Sequence, residues 1–277
     1  MPDNKVPAEL PLLDEDYALT PEQIASYQEN GHIKLDGVAA PDEIECYEPV
    51  IAGYVRQHNH HDKPLRERDT YGKAFIQVGN LWEFSEEAAR FVMARRFAKI
   101  AAELMGVEAV RIYHDQALFK EPGGGFTPWH QDQLYWPLDS SNTITMWMPL
   151  VDVSEEVGSM TFVDGTHKLG YVSRQLISDE SHKTIGSYIE GKGLATTSYG
   201  ALSAGDATFH AGWTIHSAPG NPTESMREVM TVIYYADGTR ALNPDSRARE
   251  NDLKRWLPGV NPGELAVSPL NPVVYQR

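Results

Sequence analysis

Cysteine is nearly missing: Cys46 is the single one in 277 residues. No intrachain disulfide can form, so packing must hold the fold, and a reducing, cytoplasmic setting is expected. Positive charge is also short, with 24 Lys and Arg against 39 Asp and Glu and a formal net charge of −15. Such a surface repels phosphate backbones, which argues against a nucleic-acid partner. No apolar run is long enough to cross a bilayer, and Met1–Asp16 has prolines and acids where a signal peptide has an apolar core. Neither membrane anchoring nor a secretory leader is therefore expected. Internal repeats and low-complexity tracts are absent too. What remains is globular in composition, 41% hydrophobic and 23% charged, and long enough to bury a sizeable core.

Residues 1–19 read as a loose arm. Thr20-Pro21-Glu22-Gln23 is a helix start, with Thr as cap, Pro in the first turn and Gln three positions on, and Gly31 stops that helix. His32–Leu35 alternates weakly, as a strand does. A second helix opens at Pro41-Asp42-Glu43, where Ile44, Tyr47, Ile51 and Val55 recur at helical spacing. The charged, aperiodic stretch His58–Thr70 is expected to be an exposed loop. A third helix is expected after Ser85, its apolar face running Phe91, Ala94, Phe97, Ala101 and Leu104 to a stop at Gly106.

Beyond Gly106 the texture changes to short apolar or alternating runs: Val107–Tyr113, Ala117–Phe119, Thr143–Val151, Met160–Val163, Ala207–His210 and Glu228–Tyr235. Gly, Pro, Asn and Asp separate them, which predicts a sandwich or barrel. Gly165–Gly205 is expected to be a loosely patterned insertion over one face. The proline-bearing end has one short helical piece near Asp252–Trp256. The expected plan is one domain over residues 1–277: arm 1–19, helical layer 20–106, β core 107–240 and tail 241–277.

Two His-x-Asp pairs occur, where 10 His and 17 Asp in this length give fewer than one by chance. His60 and Asp62 lie in the polar run Gln57–Lys63, as surface residues do. His130 and Asp132 lie in FTPWHQDQLYWP, among Trp129, Tyr135 and Trp136 and just after Gly123-Gly124-Gly125. Residues i and i+2 of a strand share a side and can converge on one ion. A carboxylate among aromatics is costly to bury unpaired, so a metal or a strong donor is expected beside it. A non-haem Fe(II) facial triad needs two His and one carboxylate. The candidates for the third ligand are His210 and His216 in GDATFHAGWTIHSAPGNPTESMREVMTVIYYADG.

In that segment Pro219-Gly220-Asn221-Pro222 is a turn, and Met226–Ala236 is the returning strand carrying Arg227. A hairpin would bring the guanidinium near the metal, where its fork suits the far carboxylate of a diacid cosubstrate. Gln116 and Lys120, on the strand leading to the glycine run, are candidates to face the pocket. His114 is expected to be a polar residue at a strand end. The glycine run is followed by neither Lys-Ser/Thr nor a helix, so it is no phosphate loop but a flexible turn near the site mouth.

WHQDQ, HSAPGN and Arg227 together resemble the phytanoyl-CoA dioxygenase-type family of Fe(II)/2-oxoglutarate-dependent oxygenases. The similarity extends to ENGHIKLDGV at 29–38, HDQALFKEPGGG at 114–125 and TMWMPLVDVSEEVGSMTFVDGTHK at 145–168. The resemblance implies a double-stranded β-helix (jelly-roll) core behind N-terminal helices. It makes His130, Asp132 and His216 the iron ligands and Arg227 the clamp for 2-oxoglutarate, with Ser217 adding a hydrogen bond and Trp147 a wall of the cosubstrate pocket. Gln116 and Lys120 join as pocket residues. The implied chemistry consumes O2 and 2-oxoglutarate, releases succinate and CO2, and hydroxylates a small-molecule substrate. A retained Asp132 disfavours halogenation, which in related enzymes needs that ligand replaced by chloride. The rival readings are a jelly-roll metal enzyme that does not use 2-oxoglutarate and a non-catalytic small-molecule binding module.

Overall fold

The structure, a computed structural model, describes residues 10–157 and 159–277. It joins a helical layer to two antiparallel sheets. Helix α1 (Pro21–Asn30) starts at the expected capping box and ends at Gly31 in the left-handed region, φ 80°. Strand β1 (His32–Leu35) follows, then α2 (Pro41–His58), which buries Ile44, Tyr47, Ile51 and Val55 as their spacing predicts. The polar loop after it contains a short α3 (Thr70–Ala74) and leads to strand β2 (Ile76–Gly79).

The expected third helix is two, α4 (Glu86–Val92) and α5 (Arg95–Met105), broken at an extended Ala94. At the break the Arg96 amide donates to the Leu13 carbonyl and its guanidinium to the carboxylate of Glu43. The contact also revises the arm. Leu10 and Leu13 are buried, and the Pro11 carbonyl accepts from Tyr47 Oη at 2.6 Å, so residues 10–19 are strapped to the helices. Residues 1–9 of the expected arm lie outside the described part.

The larger sheet contains β3 (Ala109–Phe119), β5 (Thr143–Pro149), β8 (Ala207–Ala211), β10 (Val229–Ala236) and β11 (Val273–Gln276), in the order β1-β8-β5-β10-β3-β11, with β2 beside β3. The smaller sheet runs β4 (Thr127–His130), β9 (His216–Ala218), β6 (Thr161–Val163) and β7 (Thr196–Ser198). Period-two alternation sorts the larger sheet's faces. Ile144, Met146 and Met148 pack into the helical core, while Thr145 and Trp147 face a cavity. Helix α5 closes the core with Phe97, Ile100, Ala101 and Leu104 fully buried; each large side chain contributes roughly 1.5–3 kcal/mol.

Strand β3 departs from simple alternation. Val110 and Ile112 belong to the helical core, and so do Ala117 and Phe119, with opposite parity. The switch is a β-bulge at Tyr113, where Ile233 pairs with His114 but Tyr234 pairs with Ile112. The bulge turns His114, Gln116 and Leu118 into the cavity. His114 is therefore a wall residue in mid-strand and not a strand-end polar group.

The expected insertion at Gly165–Gly205 contains helix α6 (Asp179–Lys192) and β7, and α7 (Arg247–Trp256) brings the chain's end back to the cavity. Among the described residues no helix is long and apolar enough to cross a membrane. Gly212 sits on the turn between β8 and β9. A Cβ there would lie 2.4 Å from Thr143 Oγ1 and 2.7 Å from Trp136. Gly212→Ala is expected to destabilise by ~1–3 kcal/mol through overpacking, read as a lowered Tm.

Candidate metal centre

His130 is the last residue of β4, and His216 is the first of β9 and its cross-strand partner. Asp132 is not on the strand. Extended Gln131 (φ −128°, ψ 124°) continues the line of β4, and Asp132 opens a 3-10 turn after it. That preserves the i, i+2 relation, so the carboxylate swings back to the imidazoles. One ligand atom from each of His130, Asp132 and His216 lies within 4.8 Å of the others, and this is the one such trio among the described residues. Oδ1 of Asp132 stands 3.5 Å from His130 Nε2 and 3.8 Å from His216 Nε2.

Both imidazoles are held by their own backbone. His130 Nδ1–H donates to the Pro128 carbonyl at 2.8 Å, and His216 Nδ1–H donates to the Thr214 carbonyl at 3.0 Å. A carbonyl only accepts, so each Nδ1 carries the proton and each Nε2 presents a lone pair. The other carboxylate oxygen, Oδ2, accepts from Thr145 Oγ1 at 3.1 Å and from His210 Nε2 at 3.2 Å. Burial alone would raise the Asp132 pKa, but His216, His130 and His210 around it hold it well below the usual carboxylate range. Burial and the neighbouring His130 and His210 push the His216 imidazole well below its ordinary value, which favours the neutral, ligating form.

A cavity of about 310 Å³ opens beside the trio, lined from both sheets and by α7. Its lining includes Arg227, Ser217, Trp147, Thr127 and Leu118. Arg227 is 3% exposed, its guanidinium lies 5.4 Å from the Trp147 ring centre, and its Nε and Nη1 have no hydrogen-bond partner among the described residues. Burial lowers its pKa to about 10, so it stays cationic at neutral pH. The lining also includes His114, Gln116, Gln77, Tyr71, Tyr135, Asp252 and Trp256. Gln116 accepts from Gln77 Nε2 at 2.5 Å, and His114 stacks on Trp256 at 4.4 Å.

The expected residues thus divide. His130, Asp132, His216, Arg227, Ser217, Trp147 and Gln116 border the cavity. Lys120 does not: it is fully buried, bridges by backbone to Arg227, and donates its amine to the Gly125 carbonyl. The bridge turns its side chain under the glycine run. Gly125 in turn donates to the Lys73 carbonyl, so that run is tied down and not a free turn. Arg227 also reaches the site by another route than a hairpin. β9 pairs with β4 and β6 while β10 pairs with β3 and β5, so the 219–222 turn carries the chain from one sheet to the other. His60 and Asp62 border a separate surface hollow. Sequence reasoning missed Asp252 and Trp256 as cavity residues, and periodicity in the tail gave no sign of where α7 docks.

Comparison with known proteins agrees with this geometry. Residues 27–229 match the phytanoyl-CoA dioxygenase (PhyH) family model. A probable alpha-ketoglutarate-dependent hypophosphite dioxygenase of Stutzerimonas stutzeri is 23% identical over 224 residues, 78% of each chain. The non-heme alpha ketoglutarate dependent carbocyclase SnoK from nogalamycin biosynthesis superposes with a TM-score of 0.76 at 24% identity, covering 93% of this chain and 97% of that one. The epimerase SnoN, in complex with Fe3+, alpha ketoglutarate and nogalamycin RO, gives 0.73 at 25% identity, covering 92% and 98%. The chain belongs to the phytanoyl-CoA dioxygenase family and, with it, to the iron- and 2-oxoglutarate-dependent dioxygenases.

Proposed function

We propose that His130, Asp132 and His216 hold Fe(II), that Arg227 grips the far carboxylate of 2-oxoglutarate beside Trp147 and Ser217, and that a small molecule is hydroxylated in the same cavity. The two sheets are read as the halves of a jelly-roll core, in one domain over residues 1–277 working in the cytoplasm. The observation that carries the assignment is the Arg227 guanidinium. A buried cation with two nitrogens unpartnered is costly unless an anion completes it, and a carboxylate matches its fork. The donor set fits the metal equally well: two imidazole nitrogens and one carboxylate oxygen suit a facial triad with open positions.

Bound iron and 2-oxoglutarate supply the redox chemistry, in which dioxygen is consumed, succinate and CO2 leave and substrate gains oxygen. The protein's part is placement. Backbone carbonyls fix the direction of both imidazoles, while Thr145 and His210 orient the carboxylate. Trp147 shields the Arg227 end from water, which strengthens the carboxylate–guanidinium attraction there. Elsewhere in the lining Trp256, Tyr135 and Tyr71 offer aromatic faces, and Gln116 and Asp252 offer polar ones, which suits a ring-bearing molecule with hydrogen-bonding groups. Asp132 keeps the carboxylate position filled, which favours hydroxylation over halogen transfer.

The test is succinate release with Fe(II), 2-oxoglutarate and oxygen across a panel of ring-bearing small molecules. Stimulation by some members supports the reading; succinate never exceeding the iron-free control sinks it. His210→Gln, which keeps size but changes the group facing Asp132, is expected to weaken Fe(II) binding by ~10–100-fold, measured by metal titration. His60→Ala is expected to bind iron and turn over as the parent does, and iron loss in that variant would point to the wrong His-x-Asp pair.

A further inference from the structure

A second histidine–aspartate pair lies behind the metal centre, and the chemistry above does not use it. His32 is 2% exposed. Its Nε2 lies 3.0 Å from Asp164 Oδ1 and its Nδ1 lies 2.8 Å from Tyr199 Oη. Asp164 only accepts, so Nε2 carries the proton of the neutral ring, and Nδ1 accepts from the Tyr199 hydroxyl. Burial lowers the His32 pKa despite Asp164, consistent with that neutral form. The His32 ring stacks on Phe162 at 4.7 Å with an interplanar angle of 11°. Phe162 in turn lies 5.4 Å from the His210 ring, 6.1 Å from the His216 ring and 6.0 Å from the Tyr199 ring. An unbroken series of ring contacts therefore joins a base-paired phenol to an imidazole of the metal centre.

We propose that Tyr199, His32 and Asp164 form a protective one-electron outlet that discharges the iron centre when dioxygen and 2-oxoglutarate react without substrate. The proposal rests on the iron reading above. The oxidant is the iron centre after its reaction with dioxygen and 2-oxoglutarate. Tyr199 gives up one electron, which removes one of the two oxidising equivalents the iron centre holds above Fe(II); a second electron, from an external reductant, returns it to Fe(II), and solvent water supplies the protons for the reduced oxygen. The phenolic proton passes along the hydrogen bond to His32 Nδ1, and the new imidazolium is held against the Asp164 carboxylate. The product is a neutral tyrosyl radical, because the proton leaves with the electron. Tyr199 is half-buried, open to a small external reductant such as ascorbate, which restores the phenol by supplying one electron while the proton returns from His32.

Other phenols near the cavity lack this arrangement. Tyr71 donates to the neutral amide oxygen of Gln77, and the Tyr135 hydroxyl accepts from the Ile177 amide. Tyr113 donates to Asp252 at 3.2 Å, but its ring neighbours are His114, Trp136 and Tyr235, none of them in the metal trio.

The experiment mixes Fe(II)-loaded protein and 2-oxoglutarate with oxygen in the absence of any substrate. Electron paramagnetic resonance of freeze-quenched samples, succinate assay and mass-spectrometric mapping of oxidised side chains are read together. The parent is expected to show a tyrosyl signal, removed by ascorbate and shifted to the deuterated pattern on ring-deuterated tyrosine. Tyr199→Phe should lose that signal and accumulate oxygen on cavity residues such as Trp256 and Tyr135. His32→Gln and Asp164→Asn should lessen the signal with succinate formation retained, which a merely structural role would not do. Tyr113→Phe should leave it intact. Succinate without a tyrosyl signal, or a signal that survives Tyr199→Phe, overturns the outlet and leaves the iron reading standing. Absence of both succinate and signal means that no oxidant forms without substrate and overturns the outlet; the iron reading is decided separately by the substrate panel above.

Discussion

Asp132→Ala is expected to abolish iron binding and succinate formation together. Among the described residues the carboxylate is the one anion in the trio with His130 and His216, and its two oxygens have separate partners. Oδ1 points toward both Nε2 atoms, while Oδ2 is held by Thr145 and His210. Removing it leaves three imidazoles with ring centres 4.0 and 4.4 Å apart and no charge to balance a cation. Loss of a single supporting partner costs ~10–100-fold in metal affinity, and loss of the ligand itself should exceed that range. Iron content after desalting and succinate release are the two measurements. Normal turnover in this variant would remove Asp132 from the chemistry, whatever the geometry of the trio.

Arg227→Ala is expected to raise the 2-oxoglutarate requirement by at least about 30-fold, with far less effect on substrate. Truncating one side of a buried, hydrogen-bonded charge pair costs ~2–5 kcal/mol, and each 1.4 kcal/mol is about tenfold. Arg227→Lys keeps the charge but loses the fork, so it should fall between parent and alanine. The ligand-free protein supplies a second reading of the same idea. There Arg227 is a desolvated cation without an anion, and Arg227→Met should leave its Tm unchanged or raised. Equal increases in the cosubstrate and substrate requirements would count against the clamp.

Much of this was legible in the sequence because the signals were local. The capping box at Thr20, the spacing Ile44–Tyr47–Ile51–Val55 and the alternation of β5 and β10 each report on a few neighbouring residues. The choice between the two His-x-Asp pairs was legible because His130-x-Asp132 sits in an aromatic setting that a solvated pair does not share, while His216 was singled out from His210 by the family resemblance. What escaped depended on distant partners. Strand β3 read as two runs because the Tyr113 bulge reverses its parity, which looks like a break to any period-two argument. The helix break at Ala94 answers to Leu13 and Glu43, residues more than fifty positions away. Lys120 kept the parity of Gln116 and Leu118 but turned under the glycine run, where its amine meets the Gly125 carbonyl. Nothing in the tail's own pattern tells that Asp252 and Trp256 return to the cavity.

The two imidazoles of the trio are steered by carbonyls only two residues upstream, Pro128 and Thr214. No distant acid has to be kept in register for either ring to point the right way. Much of the remaining lining of the cavity, by contrast, comes from α7, β3 and the segment from α3 to β2, remote from those rings in sequence. The direction of the two rings is thus encoded locally, but the placement of Asp132 is not: Arg249 of α7 donates to the Gln133 and Leu134 carbonyls of the turn that Asp132 opens. Exchange of the final helix should therefore leave both rings aimed as they are while disturbing the carboxylate between them.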